Sequence, residues 1–158
     1  MANVRVGLGF DVHARAQGRP LMLGGVLFDG EDGLAGHSDG DAICHAVADA
    51  LLGAAGLGDV GEHFPDDDPS VEGIAGVELL GQVAAKVRGS GRTPLSTDVT
   101  VIATKPAIAP FRNEIRERLA SVIGVAVERV SVKATRPEGL GLSGDGVGCL
   151  AIAVVNAT

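Results

Sequence analysis

The stretch VRVGLGF, residues 4–10, predicts the first strand of the fold, because apolar residues alternate there with small or polar ones. The chain continues as Asp11-Val12-His13, and residues two apart in an extended segment point to the same side. Asp11 and His13 can therefore present a carboxylate and an imidazole to one point, as two ligands of a metal ion. For this pair alone, a turn aspartate beside an exposed histidine remains the alternative.

Outward from this strand, strand and helix patterns alternate along the chain. The predicted strands cover 21–28 (with a bend at Gly24 and Gly25), 96–103, 129–135 and 147–155, the helices cover 41–51, 71–87 and 111–123, and loops cover 29–40 and 56–69. Ser38 or Asp39 is the expected cap of the first helix. This order predicts an α/β or α+β sandwich with helices on one face of a sheet. With 158 residues, 46% of them hydrophobic, we expect a single domain spanning 1–158.

Composition and charge argue against several kinds of partner. The net charge is -7, no run of Lys or Arg occurs, and aromatic residues make up only 3%, so a nucleic-acid surface is not expected. The N-terminal residues do not resemble a signal peptide and no segment is apolar enough to cross a bilayer, so we expect a cytoplasmic protein with no membrane contact. Cys44 and Cys149 match no zinc or redox spacing and are expected to be buried thiols.

A second cluster of functional side chains surrounds the start of the first predicted helix. His37 and Ser38 precede the helix, while Asp41, His45 and Asp49 recur every four residues on one of its faces. Combined with Asp11 and His13, a histidine from this cluster completes an Asp-His-His set, which suits catalytic zinc because a fourth position stays open. An ordinary solvated helix face is the alternative.

Two further segments carry polar groups in unusual density. The loop GDVGEHFPDDDP, residues 58–69, combines glycines with carboxylates that could accept hydrogen bonds from hydroxyl groups. The segment KATRPEGLGL, residues 133–142, offers a hydroxyl, a guanidinium and a carboxylate that could hold phosphates and Mg²⁺. An acidic surface loop or weak calcium-like cluster, and a charged strand-to-turn connection, are the respective alternatives.

In this order, GFDVH, GHSDGD followed by His45, GDVG and FPDDDP resemble the 2-C-methyl-D-erythritol 2,4-cyclodiphosphate synthase family of the non-mevalonate isoprenoid pathway. The resemblance extends along nearly the whole chain. It implies an α+β, ferredoxin-like sheet-and-helix two-layer sandwich, assembled as a homotrimer with each active site between neighbouring subunits. The implied reaction closes a cyclic diphosphate on a cytidine diphosphate substrate and expels CMP.

The resemblance also implies roles for individual residues. Asp11, His13 and His45 would bind zinc, Glu138 would bind Mg²⁺ or Mn²⁺ together with the substrate, and His37 and Arg136 would act in catalysis. The implied substrate-binding residues are Asp11, Val12, His13, His37, Ser38, Asp59, Val60, Gly61, Phe64, Pro65, Asp66, Asp67, Asp68, Ala103, Thr104, Lys105, Pro106, Ala107, Ile108, Ala109, Thr135, Arg136, Pro137, Glu138 and Leu142. Among them, residues 103–109 would hold cytosine through backbone groups.

The chain departs from the family pattern at several positions. Arg136 replaces a common Thr, and its guanidinium could stabilise the same developing charge. Ala107 replaces a common Lys. Leu142 and Asp145 replace a Phe and an Arg with which some relatives bind isoprenoid diphosphates on the trimer axis, so we expect no such anion there. A metal-dependent phosphohydrolase and a trimeric binding module without turnover are the competing functions.

Overall fold

Six strands and four α-helices are found in the described residues, 3–141 and 144–156, of this computed structural model. The strands are β1 (Val4–His13), β2 (Arg15–Leu23), β3 (Val26–Leu34), β4 (Thr93–Ala103), β5 (Val130–Thr135) and β6 (Val147–Asn156). The helices are α1 (Ala42–Ala55), α2 (Val60–His63), α3 (Gly76–Gly89) and α4 (Arg112–Ile123), with 3-10 turns at Pro69–Val71, Ala109–Phe111 and Val127–Arg129.

The main sheet has the strand order β1-β6-β4-β5. β6 pairs antiparallel with both β1 and β4, while β4 and β5 are parallel. Val147 at the start of β6 pairs with both His13 and Ala103, and Ile102 pairs with Thr135. The carboxyl ends of β1, β4 and β5 therefore lie at the same end of the sheet, where the predicted functional segments begin.

The predicted α+β architecture is confirmed, but the strand order differs from the ferredoxin-like one. That pattern runs β-α-β-β-α-β, whereas the main-sheet strands and their helices run β1-α1-α3-β4-α4-β5-β6, with a parallel pair at one edge. Sequence periodicity identifies strands, but pairing depends on contacts between distant residues. The β-hairpin formed by β2 and β3 is a separate two-stranded sheet.

The hairpin is the largest departure from the predicted elements. The single bent strand over 21–28 is wrong, because Gly24 and Gly25 (φ 60° and 73°) form a tight turn between β2 and β3, and the predicted loop 29–40 is strand up to Leu34. Two central residues with positive φ are the signature of a type I′ hairpin turn. Glycines and carboxylates within β3 gave this strand the composition of a loop.

Smaller differences occur in the acidic segment that follows α1. The predicted loop 56–69 contains the short helix α2, and the second long helix begins at Gly76 rather than at residue 71. The residues Pro69–Val71 form a 3-10 turn instead, with the Asp68 carboxylate accepting a hydrogen bond from the Ser70 N–H at 2.9 Å. Local capping therefore decides where helical structure begins here.

Helix α1 lies directly on β1 because glycine removes the side chains between them. An added Cβ would lie 2.0 Å from the Ala50 carbonyl oxygen at Gly7, and 1.9 Å from the Ala46 carbonyl oxygen at Gly9. Alanines along α1 are fully buried on the helix side of this contact. A close helix–strand approach of this kind leaves no space for even one methyl group.

The opposite face of β1 is apolar and exposed. Every second residue points there, and Leu8 and Phe10 are 65% and 48% exposed. Ile152 and Leu150, their partners on β6, extend this surface. We call the set Val4, Val6, Leu8, Phe10, Val12, Leu150 and Ile152 the outer apolar face. An apolar surface of this continuity is unusual on a monomer.

Two further expectations concern the cysteines and membrane contact. Cys44 and Cys149 are buried free thiols, as predicted, and burial raises the pKa of both well above the ordinary value. Within residues 3–141 and 144–156, no helix combines the length and apolar character needed to cross a membrane.

The substitution Gly9→Ala should destabilise the fold by about 3 kcal/mol or more, since the new methyl group would collide with the α1 backbone rather than with a movable side chain. Urea unfolding measures the effect. Gly89→Ala, at the end of α3, is the matched control and should change stability by about 1 kcal/mol or less, because its Cβ would meet no described atom within 4 Å apart from its chain neighbours and the backbone of its own helix. Equal effects of the two substitutions would contradict the packing argument.

Candidate active site

Three predicted metal ligands converge where β1 meets α1. Asp11 Oδ2 lies 2.7 Å from His13 Nε2 and 3.2 Å from His45 Nδ1, and the two imidazole nitrogens are 3.3 Å apart. Asp11 and His13 share the helix-facing side of β1, and His45 lies in the first turn of α1. The close helix–strand approach thus brings three donor atoms to one point.

The donor set and its spacing fit a divalent metal ion. Bonds of about 2.0–2.1 Å in a tetrahedral site place the donor atoms about 3.3 Å from one another. The distances from His45 to both partners match this value, and the closer Asp11–His13 pair would open by a few tenths of an ångström. One carboxylate and two imidazoles leave a fourth position for another ligand.

Both histidines are oriented by hydrogen bonds on the far side of their rings. His13 Nδ1–H donates to the Ala35 carbonyl at 2.6 Å, which turns Nε2 toward the cluster, where it shares a hydrogen bond with Asp11 or, once deprotonated, can offer a lone pair to a metal ion. His45 Nε2–H donates to Ser38 Oγ at 3.0 Å, and this hydroxyl oxygen also accepts from the Gly40 N–H at 3.1 Å. The residues that orient the ligands therefore come from the loop between β3 and α1.

The electrostatics of the cluster favour an ionised carboxylate. Burial raises the pKa of Asp11, but hydrogen bonds from His13 and His45 outweigh it and lower that pKa to about 2. The hydrogen bond with Asp11 raises the pKa of His13 above its ordinary value. Asp11 is therefore an anionic ligand throughout the neutral range.

The three donors open into a pocket of about 420 Å³, which we call the metal pocket. His37 lies at its rim with 65% of its side chain exposed, and its Nδ1 is 3.4 Å from Asp66 Oδ1. The other predicted residues along its wall are Ser38, Asp59, Val60, Gly61 and Phe64. Asp59 caps α2 by accepting a hydrogen bond from the Glu62 N–H at 3.0 Å, so its position is set by the helix.

Many of the remaining predicted groups lie around a second pocket of about 300 Å³, which we call the loop pocket. It is lined by Ala103, Thr104, Pro106, Ala107, Ile108, Ala109, Thr135 and Arg136, and also by Arg112, Ala134. β1 and β5 are opposite edge strands, so three strand spacings, about 14 Å, separate His13 from Thr135. A single chain therefore divides the predicted site residues between two pockets.

Some predicted site residues border neither pocket. Val12 points to the outer apolar face, Pro65 and Asp67 lie outside the pocket wall, and Lys105 borders a different cavity beside Arg15. Pro137 is buried, and Glu138 is exposed in a turn with a positive φ of 51°. Leu142 lies outside the described residues.

Asp41 has a role that sequence reasoning missed, since it was assigned only to a polar helix face. Its fully buried carboxylate accepts hydrogen bonds from the N–H groups of Gly24, Gly25 and Cys44 at 2.8, 2.7 and 3.0 Å. It also caps α1, where Ser38 or Asp39 was predicted; Asp39 instead accepts from the Gly76 N–H at the start of α3. The signal available in the sequence was the position of Asp41 directly before the apolar helix pattern.

Asp49 also borders the metal pocket, one helical turn beyond His45. Its Oδ1 accepts a hydrogen bond from the Val60 N–H at 2.8 Å, which ties α1 to the start of α2. Burial raises the pKa of this carboxyl group. The four-residue spacing from His45 was visible in the sequence, but the contact with α2 was not.

The fold and the site define an α+β protein with a candidate Asp-His-His metal site that opens into a pocket. The sequence model of the YgbB family matches residues 4–158. The chain is 48% identical over 151 residues to 2-C-methyl-D-erythritol 2,4-cyclodiphosphate synthase of Desulfatibacillum aliphaticivorans, covering 96% of this chain and 97% of that protein. The chain belongs to the YgbB family, which confirms the resemblance seen in the sequence motifs.

Two other relatives extend the comparison. The bifunctional enzyme IspD/IspF of Anaeromyxobacter sp. (strain Fw109-5) is 52% identical over 153 residues; the match covers 97% of this chain but only 39% of the length of that relative. A solved structure of 2C-methyl-D-erythritol-2,4-cyclodiphosphate synthase in a CDP-bound form superposes with a TM-score of 0.87 at 34% identity, covering 96% of this chain and 99% of that one.

The substitution Asp41→Asn should lower the free energy of unfolding by about 3 kcal/mol, because an amide has one acceptor oxygen for three backbone donors and turns its own N–H₂ toward one of them. Urea unfolding measures the loss. The control Asp29→Asn removes an exposed carboxylate from the same hairpin and should change stability by less than about 0.5 kcal/mol. A wild-type midpoint for Asp41→Asn would refute the anchoring role.

Proposed function

We propose that this protein converts 4-diphosphocytidyl-2-C-methyl-D-erythritol 2-phosphate to 2-C-methyl-D-erythritol 2,4-cyclodiphosphate with release of CMP, in non-mevalonate isoprenoid precursor synthesis. The observation that carries the proposal is the convergence of Asp11, His13 and His45 at an open pocket in a member of this family. Relatives that this chain covers over 97% of their length are 2-C-methyl-D-erythritol 2,4-cyclodiphosphate synthases, which supports the same activity.

The chemistry is an internal phosphoryl transfer. An oxygen of the 2-phosphate attacks the β-phosphorus of the diphosphate, the bond from that phosphorus to the bridging oxygen breaks, and CMP leaves with that oxygen. No water is consumed. The protein must hold two mutually repelling phosphates in line and neutralise the charge that develops, so positioning and electrostatics account for most of the catalysis.

The metal pocket would hold the reacting phosphates and the erythritol. A Zn²⁺ ion bound by Asp11, His13 and His45 would supply Lewis acidity to a phosphate oxygen. His37 at the rim would donate a hydrogen bond to the developing charge, and the Ser38 backbone would contact phosphate. Asp59 and Gly61, at the start of α2, would hold ribose or erythritol hydroxyls, and residues 64–68 would line the substrate loop.

The loop pocket would hold the cytidine end of the substrate. The backbone groups of residues 103–109 would form hydrogen bonds with the edge of the cytosine ring. The small side chain of Ala107 fills less of this pocket than a longer side chain would. Thr135 and Arg136 would bind phosphate, with the guanidinium stabilising charge in the transition state. Glu138 would hold Mg²⁺ or Mn²⁺ together with the diphosphate.

We further propose a homotrimer in which the loop pocket of one subunit completes the metal pocket of its neighbour. The separation of about 14 Å between His13 in the metal pocket and Thr135 in the loop pocket of one chain supports this arrangement. The outer apolar face supports it independently, because a neighbouring subunit would cover an otherwise exposed apolar surface. The free thiols are in keeping with a cytoplasmic location, which remains a prediction.

The activity is tested by incubating zinc-loaded protein with the named substrate and Mg²⁺ while following phosphorus resonances. We expect CMP and a cyclic diphosphate, loss of both with His45→Ala or after chelation of the metal, and little change with His63→Gln, which retains a donor for the Leu57 carbonyl. Release of inorganic phosphate would favour the phosphohydrolase. Binding of CMP without turnover would favour the binding module.

The oligomeric state is tested with Leu8→Asp, which places a charge in the outer apolar face. The wild type should sediment as a trimer, whereas the variant should dissociate because burying an unpaired carboxylate is costly. Leu27→Asp is the matched control, since Leu27 is 53% exposed on β3 and lies outside that face. A wild-type monomer in sedimentation equilibrium would contradict the trimer.

A further inference from the structure

The hairpin strand β2 carries two arginines, Arg15 and Arg19, whose guanidinium groups contact loops of both pockets. Both side chains are half-buried, and within residues 3–141 and 144–156 neither forms an ion pair. Each arginine donates instead to the backbone carbonyl groups of two different residues. In a chain with a net charge of -7, two cations used in this way require an explanation.

Arg19 holds the loop that carries His37. Its Nη1–H donates to the Gly36 carbonyl at 2.9 Å, and its Nη2–H donates to the Ser38 carbonyl. The guanidinium therefore contacts the carbonyl groups of Gly36 and Ser38, the residues on either side of His37. Through the hydrogen bond between Ser38 Oγ and His45 Nε2, the same loop orients a ligand of the metal site.

An irregularity in β2 directs Arg19 toward this loop. Ala16 pairs with Gly33, but the next paired residue, Pro20, faces Asp32, so three residues of β2 bulge out of the ladder. Bulges of this kind redirect side chains and are common beside functional sites. An added Cβ at Gly33 would lie 2.4 Å from the Pro20 carbonyl oxygen. The bulge in β2 therefore fits against β3 because residue 33 is a glycine and has no side chain.

Arg15 makes the corresponding contact with the other pocket. Its Nη1–H donates to the Asp32 carbonyl at 2.7 Å, which fixes the guanidinium on β3, and its Nη2–H donates to the Lys105 carbonyl. Lys105 itself borders the neighbouring cavity, but the residues before and after it in the segment 103–109 line the loop pocket. The hairpin thus reaches one loop of each pocket.

We propose that Arg15 and Arg19 are positioning residues, through which the β2–β3 hairpin holds the loop of each pocket: Arg19 aligns the His37–Ser38 loop and Arg15 aligns the segment 103–109. This inference rests on the proposed function for its choice of ligand. In the trimer, the two arginines of one hairpin would serve two neighbouring active sites, because the two pockets of one chain belong to different sites.

The contact depends on the shape of the guanidinium rather than on its charge. A planar fork donates to two carbonyls at once, whereas an ammonium is a compact charge that cannot reproduce this geometry. A lysine at either position therefore keeps the charge but loses the two-point grip. A lysine substitution therefore distinguishes a positioning role of the arginine from simple electrostatic attraction of an anionic substrate.

The test compares Arg15→Lys, Arg19→Lys and wild type, all checked for an unchanged circular dichroism spectrum. Zinc affinity is measured on metal-free protein against a chromophoric chelator, and CMP affinity is measured by calorimetry on zinc-loaded protein. We expect Arg19→Lys to weaken zinc binding about tenfold with little change for CMP. We expect Arg15→Lys to weaken CMP binding by a similar factor while leaving zinc affinity unchanged.

Arg116→Lys is the matched control. Arg116, in α4, also donates to two carbonyls, those of Val127 and Val130 at 3.1 and 2.8 Å, but it lines neither pocket. It should alter neither affinity. Equal effects of all three substitutions, or wild-type affinities for both hairpin variants, would overturn the proposal.

Failure of the proposed function would give a different result. A wild-type protein that binds zinc but no CMP refutes the assigned substrate, and with it the role of Arg15. The role of Arg19 would still be decided, because zinc affinity does not depend on the substrate.

Discussion

The close contact between β1 and α1 is the constraint on which the rest of the site depends. Gly7 and Gly9 remove every atom that would separate the strand from the helix backbone. Two ligands come from the strand and the third from the helix, so the separation of these elements directly sets the distances between donor atoms. A wider contact, such as ordinary side chains would impose, would leave the three donors too far apart to share one ion.

The polar contacts around this core hold loops rather than add to the burial of apolar surface. Asp41 joins the hairpin turn to the start of α1 by accepting hydrogen bonds from three backbone N–H groups. Arg15 and Arg19 hold loops by donating hydrogen bonds to the backbone carbonyl groups of those loops. Such contacts act at precise positions because their geometry is directional. The hairpin, which in the described part of the chain pairs with no strand of the main sheet, thereby becomes a support for both pockets.

Sequence patterns predicted much of this arrangement and missed a definable part. The alternating strand at the N-terminus, the three long helices and the later strands follow from periodicity, because their apolar faces meet one continuous core. β3 was missed because Gly30, Gly33 and its acidic residues have the composition of a loop. The parallel pairing of β4 with β5 was also invisible, since strand order depends on contacts between residues distant in the chain.

The same distinction applies to the site. The sequence by itself determined which side chains could act as ligands and the family to which the chain belongs, because ligand chemistry and ordered motifs are local properties of the residues. Only the tertiary structure decided that Asp11, His13 and His45 meet at one point, that the other predicted groups surround a second pocket, and that Asp41 is an anchor. The physical reason is that hydrogen bonds and donor distances depend on how separate elements pack, and a residue pattern specifies only which face each element buries.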